Sequence, residues 1–184
     1  MSNDPLQATA HRLGDELFER YNIYPGEGFR NHNLRLAAFA DALMRARGLD
    51  MSPGRTHLLA MAHDLGLISE SDRGCDYLLR SWSLLERECK ARGLEALADV
   101  TAFECVRFNH RVHAVPNLDP RAEAFRCAVW IEHSFGAKRF GLPRALVREV
   151  FRRYPRDNFN AVMADFWRRV LLHEPKTVIR GIFL

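Results

Sequence analysis

A histidine–aspartate pair stands inside an apolar stretch of this chain. The segment "LLAMAHDLGL", residues 58–67, sets His63 and Asp64 side by side among leucine, alanine and methionine. Burying a carboxylate without a partner is costly, so Asp64 requires either an arginine or a metal ion nearby. Imidazole and carboxylate together suit a divalent transition metal such as Mn, Fe, Co, Ni or Zn. Taken alone, the dipeptide fits a metal site or a structural pair in the core.

A second histidine begins the preceding helix. In "RNHNLR", residues 30–35, His32 follows a glycine-containing turn and Arg35 follows three residues later. That spacing places His32 and Arg35 on the same side of a helix, one turn apart. The sequence therefore predicts two helices that each carry a histidine toward a shared polar position.

Four stretches, taken in order, resemble the HD-domain superfamily of metal-dependent phosphohydrolases. They are "NHNLRLAAFADAL", "LLAMAHDLGL", "VRFNHRVH" and "RCAVWIEHSFG", and the resemblance spans residues 28–140. It implies an all-helical bundle that holds one or two divalent metals. It also implies a phosphorylated small molecule or nucleotide as substrate, because the usual reaction of the family is attack of metal-bound hydroxide on a phosphoester.

The resemblance also implies a set of metal ligands. His32 corresponds to the first histidine of the family, and His63 and Asp64 correspond to the signature pair. A later histidine that helps to hold a second metal in dinuclear members best matches His110, with His113 as the alternative.

Catalytic roles follow from the same resemblance. Asp64 would orient the nucleophilic water, and His110 or His113 would act as an acid or contact the substrate. Arg35 or Arg30 could add a cationic contact to an anionic substrate.

The resemblance fails at the last ligand. The family has an aspartate there, but Val129 occupies the position in "CAVWIE", and valine cannot bind a metal. Glu132 and His133 lie about one helical turn further on. Either residue could replace the missing ligand, which would leave a working hydrolase. Otherwise the site is degraded, and the protein is a non-catalytic binding or regulatory scaffold.

An iron oxygenase or lyase on the same fold is a third possibility. Some HD members carry a tyrosine and a glutamate shortly before the first histidine, and Tyr24 and Glu27 stand in a comparable place in "YNIYPGEG". The stretch "CDYLLRSWSLLEREC", residues 75–89, contains no histidine, which argues against a dinuclear centre.

The other histidines and a stripe of arginines have simpler interpretations. We expect three histidines to be isolated at the surface: His11, His57 and His173. Arginines recur every four residues in one later segment and predict a solvated helix face: Arg144, Arg148 and Arg152.

Hydrophobic periodicity predicts helices almost throughout and no strands. Ser52 and Asp119 are candidate N-caps, each followed by proline, and Gly48 and Gly66 are candidate helix stops. The expected fold is an all-α, compact HD-like bundle of seven or eight helices. The predicted helical ranges are 5–22, 31–47, 53–65, 72–91, 94–109, 119–135, 142–154 and 157–173.

Length and composition predict one domain. The 184 residues suit a single unit, 1–184, with an HD-like core at 28–140 and a helical extension at 141–184. No apolar run reaches the roughly 20 residues of a membrane helix, and the N-terminus lacks signal-peptide character, which predicts a cytoplasmic protein. The net charge of +4 comes with interleaved acidic residues, which argues against nucleic-acid binding.

Two further features are minor. The four cysteines are widely spaced without a CxxC motif, so we expect free thiols. The short apolar tail "VIRGIFL", residues 178–184, should dock on the body or on a second copy, which would make a homodimer.

Overall fold

Helices form almost all of the regular structure in the computed structural model, which describes residues 5–68 and 76–178. Among these residues there is no strand, which confirms the predicted all-α class. Eight helices have nine residues or more, and two have four. They are α1 (Pro5–Tyr21), α2 (Gly28–Ala46), α3 (Pro53–Ala62), α4 (Leu65–Ile68), α5 (Tyr77–Lys90), α6 (Val100–Phe108), α7 (Pro120–His133), α8 (Arg144–Arg153), α9 (Phe159–His173) and α10 (Pro175–Val178).

Three predicted helix boundaries with a local chemical signal are confirmed. The Ser52 side chain accepts a hydrogen bond from the Arg55 amide at 3.3 Å, and Pro53 opens α3. Asp119 caps α7 in the same way, accepting from the Arg121 amide at 2.8 Å. Gly48 follows α2 with a φ of +64°, a conformation that glycine adopts without strain.

Helix α2 occupies the centre of the bundle. It packs against α3, α7, α8 and α9, while α1 lies along α3. Helices α4, α5 and α6 continue this arrangement, and α6 returns to α7. The apolar faces of these helices meet in one main core that includes Leu36, Phe39, Leu58 and Phe125. Since α2, α3 and α7 meet in this core, polar residues on their facing sides are brought together away from water.

The third helix ends earlier than the sequence pattern predicted. We expected a continuous helix to Leu65, but α3 ends at Ala62, and His63 and Asp64 form a turn before α4 begins. Gly66, expected to end the helix, instead lies inside α4, where a Cβ would come 2.1 Å from the Tyr77 carbonyl oxygen. Two hydrogen bonds hold α4 against α5 at this point. The Gly66 amide donates to the Ser81 hydroxyl, and Arg80 donates to the Gly66 carbonyl.

The predicted helix over 94–109 is also divided. A 3₁₀ turn occupies Glu95–Leu97, and α6 begins only at Val100. The reason is Asp99, whose carboxylate accepts a hydrogen bond from the Ala102 amide and caps the new helix.

The arginines of α8 and the cysteines of the described residues agree with the predictions. The arginines of the predicted stripe on α8 are exposed, as expected. Cys89, Cys105 and Cys127 are free and buried in helices, while Cys75 lies outside the described residues. The predicted docking of the apolar tail mostly concerns residues 179–184, which also lie outside the described residues.

Within 5–68 and 76–178, no helix combines the length and apolar character needed to cross a membrane.

Candidate metal centre

The predicted ligands His32, His63 and Asp64 lie together in the interior. One potential ligand atom from each lies within 4.8 Å of the other two. His32 projects from α2, whereas His63 and Asp64 occupy the turn between α3 and α4. All three are at least 96% buried, with exposed fractions of 1%, 0% and 4%. The break after Ala62 lets two adjacent side chains point toward the same polar position, which a continuous helix would not do.

His63 is oriented by the backbone. Its Nδ1 lies 2.7 Å from the Ala60 carbonyl oxygen, and because a carbonyl only accepts, Nδ1 carries the hydrogen. Nε2 is therefore the nitrogen that faces Asp64, at 3.0 Å from Oδ2. Burial lowers the pKa of His63, but Asp64 and the Ala60 carbonyl outweigh it, so the pKa is raised above its ordinary value.

Asp64 also contacts His110. Its Oδ1 lies 3.3 Å from His110 Nε2, so the carboxylate is flanked by two imidazoles. Burial would raise the pKa of Asp64, but His63 and His110 hold it well below its usual range. Asp64 is therefore an anion inside the protein. His113, the alternative to His110, is exposed in the loop after α6 and has no such contact in the structure.

Glu132 supports His32 and does not take the position of the missing aspartate. Val129 is completely buried in the core, and Glu132, one turn later on α7, is also completely buried. The Glu132 Oε2 atom lies 3.1 Å from His32 Nδ1. A carboxylate in contact with one nitrogen of a histidine fixes the ring and presents the other nitrogen to a metal. In this arrangement Glu132 suits an orienting residue better than a ligand, and its replacement of the missing ligand stays a prediction.

Arg35 holds Glu132 and is bonded mainly to groups within the protein. Its Nε and Nη2 donate to Glu132 Oε1 at 3.1 and 2.7 Å, and its Nη1 donates to the carbonyls of Tyr154 and Pro155. Arg156 donates to the same carboxylate oxygen at 2.8 Å. The structure therefore gives Arg35 a structural role, and its contact with an anionic substrate stays a prediction. This completely buried guanidinium links α2 to α7 and to the chain after α8 instead.

His133 lies at the border of the cluster. Its ring centroid is 5.7 Å from that of His32 and 5.4 Å from that of His110. Burial lowers the pKa of His133 to about 3, so the ring is neutral at physiological pH. Its side chain keeps 20% exposure, which makes it, with His110, the part of the cluster nearest to solvent. It borders the cluster without contacting His63, so it does not replace the ligand missing at Val129 in this arrangement.

The remaining predicted residues lie elsewhere. Arg30 pairs with Asp15 and Glu19 on α1. Tyr24 donates a hydrogen bond to Asp165 at 3.1 Å, and Glu27 is exposed at the start of α2. The tyrosine and glutamate of an oxygenase-like site are thus not brought to His32.

The donor atoms of the cluster fit a metal ion. Among the described residues, His32 Nε2 is buried and lacks a hydrogen-bond partner, and His63 Nε2 is buried with the Asp64 carboxylate 3.0 Å away. A buried nitrogen without a partner is costly unless something binds it. The Nε2 atoms of His32 and His63 beside the anionic Asp64 carboxylate form a donor set suited to Mn, Fe, Co, Ni or Zn. His32, His63 and Asp64 are therefore the residues that would hold the metal.

Sequence reasoning missed the residues that support these three. Glu132 was considered only as a ligand, and neither Arg156 nor the Ala60 carbonyl was considered at all. Burial of both Arg35 and Glu132 required them to pair, and the helical phase of α7 placed Glu132 on the face of Val129. Those two signals together could have suggested the pair.

Comparison of the chain with protein-family models, curated proteins and solved structures finds no match. An assignment of this site to a reaction therefore depends on its own residues and their geometry.

Proposed function

We propose that the chain is an HD-type metal-dependent hydrolase that acts on a phosphorylated small molecule or nucleotide. The observation that supports this most directly is the convergence of His32, His63 and Asp64, with one ligand atom from each within 4.8 Å of the others. A divalent metal bound there would lower the pKa of a water molecule and stabilise charge on phosphoryl oxygens.

The protein supplies the orientation of the ligands. The Ala60 carbonyl fixes the ring of His63, and Glu132 fixes the ring of His32, so each histidine presents Nε2 to the site. Glu132 is in turn held by Arg35 and Arg156. This layer of buried contacts preorganises the ligands, so little rearrangement is needed when the metal binds.

His110 is the best-placed residue for proton transfer. Its Nε2 contacts Asp64 Oδ1 at 3.3 Å, and it lies at the more accessible border of the cluster beside His133. In the proposed reaction, substrate approaches from this side and Asp64 orients the attacking water, whose proton would pass to solvent because a bound metal would lower the pKa of that water. His110 donates a proton to the leaving oxygen. Neutral His133 would contribute a hydrogen bond without adding charge.

A non-catalytic scaffold is the second candidate, and one observation favours it. Val129 leaves the position of the last family ligand apolar, and Glu132, whose Oε1 is bonded to two arginines, does not fill it. Such a site could bind a metal or a phosphorylated ligand without turning it over.

Hydrolysis assays separate the two candidates. Purified protein would be supplied with Mn²⁺, Fe²⁺ or Zn²⁺ and tested for release of inorganic phosphate from nucleoside mono-, di- and triphosphates and from sugar phosphates. We expect turnover that His63→Ala and Asp64→Asn abolish and that the exposed-site control His173→Asn retains. Metal-bound protein without turnover of any of these compounds would support the scaffold.

A further inference from the structure

A second histidine–aspartate cluster lies between α1 and α3. His11 and Asp15 are one turn apart on α1, and His57 reaches them from α3. Asp15 Oδ1 lies 3.1 Å from His57 Nε2, and Oδ2 lies 3.4 Å from His11 Nδ1. The two imidazole rings stack at 3.7 Å between centroids with an angle of 3°. The expectation that His11 and His57 are isolated at the surface was therefore wrong.

We propose that His11, Asp15 and His57 form a second site for a divalent transition-metal ion, exchangeable with solvent and separate from the buried centre. One ligand atom from each residue lies within 4.8 Å of the other two. Two imidazoles and a carboxylate again form a donor set for Zn, Ni, Co or Cu. A ligand pair four residues apart on one helix, completed by a residue of the neighbouring helix, places all three donors on one side.

The surroundings give this site its exchangeable character. His57 is buried, Asp15 keeps 33% of its side chain exposed, and His11 keeps 55%. A metal would therefore be held from the protein side and keep water on the other. Helices α1 and α3 approach closely here, since a Cβ on Gly14 would come 3.0 Å from the Leu58 Cα. The two helices thus fix the backbone positions of the ligands, and the exposed His11 ring can rotate into place.

The stacked rings of His11 and His57 are better suited to bind one metal ion together than to be protonated together. Two protonated imidazoles at this distance would repel each other, so at least one is neutral and offers a lone pair. Burial, followed by the neighbouring His11, lowers the pKa of His57. A metal ion would bind both rings without requiring either to carry a proton.

Arg30 limits the affinity. Its Nη2 lies 3.0 Å from Asp15 Oδ1, so it competes with a metal for the carboxylate. The other oxygen, Oδ2, faces His11 and is the one that we expect to bind the ion. Removing the Arg30 charge should therefore strengthen metal binding, whereas it would leave metal binding unchanged if Asp15 only formed a structural ion pair.

Calorimetric titration of the full chain with Zn²⁺ and Ni²⁺ tests the site. We expect a weak binding event that persists in His63→Ala, weakens on the order of tenfold or more in His11→Asn and His57→Asn, and tightens in Arg30→Gln. The exposed control His173→Asn should match the wild type. Because His11 is largely exposed, His11→Asn should fold normally even if substitution of the buried His57 does not.

Thermal unfolding provides an independent readout. A metal that binds only the folded protein raises its melting temperature in proportion to occupancy. Zn²⁺ or Ni²⁺ should raise the melting temperature of His63→Ala but raise that of His11→Asn by less. A weak binding event unchanged in His11→Asn, or lost in His63→Ala, would overturn the proposal. Loss of the buried centre alone would leave this result intact, so failure of the proposed function and failure of this site are distinguishable.

Discussion

Replacement of Glu132 by glutamine tests the buried network that supports the site. Glutamine keeps the size of the side chain and one carbonyl acceptor, but it removes the negative charge. Glu132 and Arg35 are both completely buried, and Arg35 donates to one carboxylate oxygen at 2.7 and 3.1 Å. Loss of one member of a buried ion pair leaves an uncompensated charge, at a cost of about 3–5 kcal/mol. Because the amide oxygen still accepts from arginine, we expect the lower end of that range.

Urea unfolding monitored by circular dichroism measures the change in the free energy of unfolding. The matched control is Glu149→Gln, since Glu149 forms an exposed pair with Arg152 on α8 and its loss should change the unfolding midpoint very little. If Glu132→Gln lowers the free energy of unfolding by less than about 1 kcal/mol, the buried Glu132 carboxylate does not stabilise the fold through its bonds with Arg35. Since Glu132 also orients His32, the same variant should bind metal at the buried centre about tenfold or more weakly.

Three further predictions concern the fold, its acid stability and proton transfer. Gly66→Ala should lower the free energy of unfolding by about 1–3 kcal/mol or more, because its Cβ would meet the Tyr77 carbonyl and backbone movement is required; an unchanged urea midpoint would contradict this. The Asp119 pKa is held well below its usual value by Arg121, so this cap stabilises the protein above about pH 4 and its contribution is lost as pH falls further. The stability difference between wild type and Asp119→Asn, measured from pH 7 to 2.5, should therefore shrink in acid, and a constant difference would refute the assignment. His110→Gln should lower kcat about 10²-fold or more while His113→Gln leaves it unchanged, and equal losses in both variants would argue against His110 as the proton donor.

Local signals in the sequence were sufficient for much of the fold. Three helix ends are marked by chemistry that depends only on neighbouring residues. They are Ser52 and Asp119, each before a proline, and Gly48 after an apolar repeat. The break at His63 was not predictable in this way. It depends on packing of Gly66 against α5, a contact made by residues more than ten positions away.

The candidate site likewise has features that could be predicted from the sequence and features that could not. Grouping of His32, His63 and Asp64 followed from the resemblance, which carries information about distant contacts. The bond between Arg35 and Glu132 was not predicted because the two residues are 97 positions apart and sequence spacing does not reveal such a pair. The contact between His11 and His57 was not predicted for the same reason. The two residues lie on different helices, and the residues next to each of them in the sequence do not indicate the contact.

Metal analysis of the purified protein measures whether the buried centre binds a transition metal. Wild-type protein and the His63→Ala and His11→Asn variants would be dialysed extensively and measured by inductively coupled plasma mass spectrometry. We predict a transition metal at one equivalent in the wild type and in His11→Asn, and its loss in His63→Ala. Wild-type protein that is folded, free of metal and unaffected by chelator, and that takes up none of the five metals on addition, would contradict it.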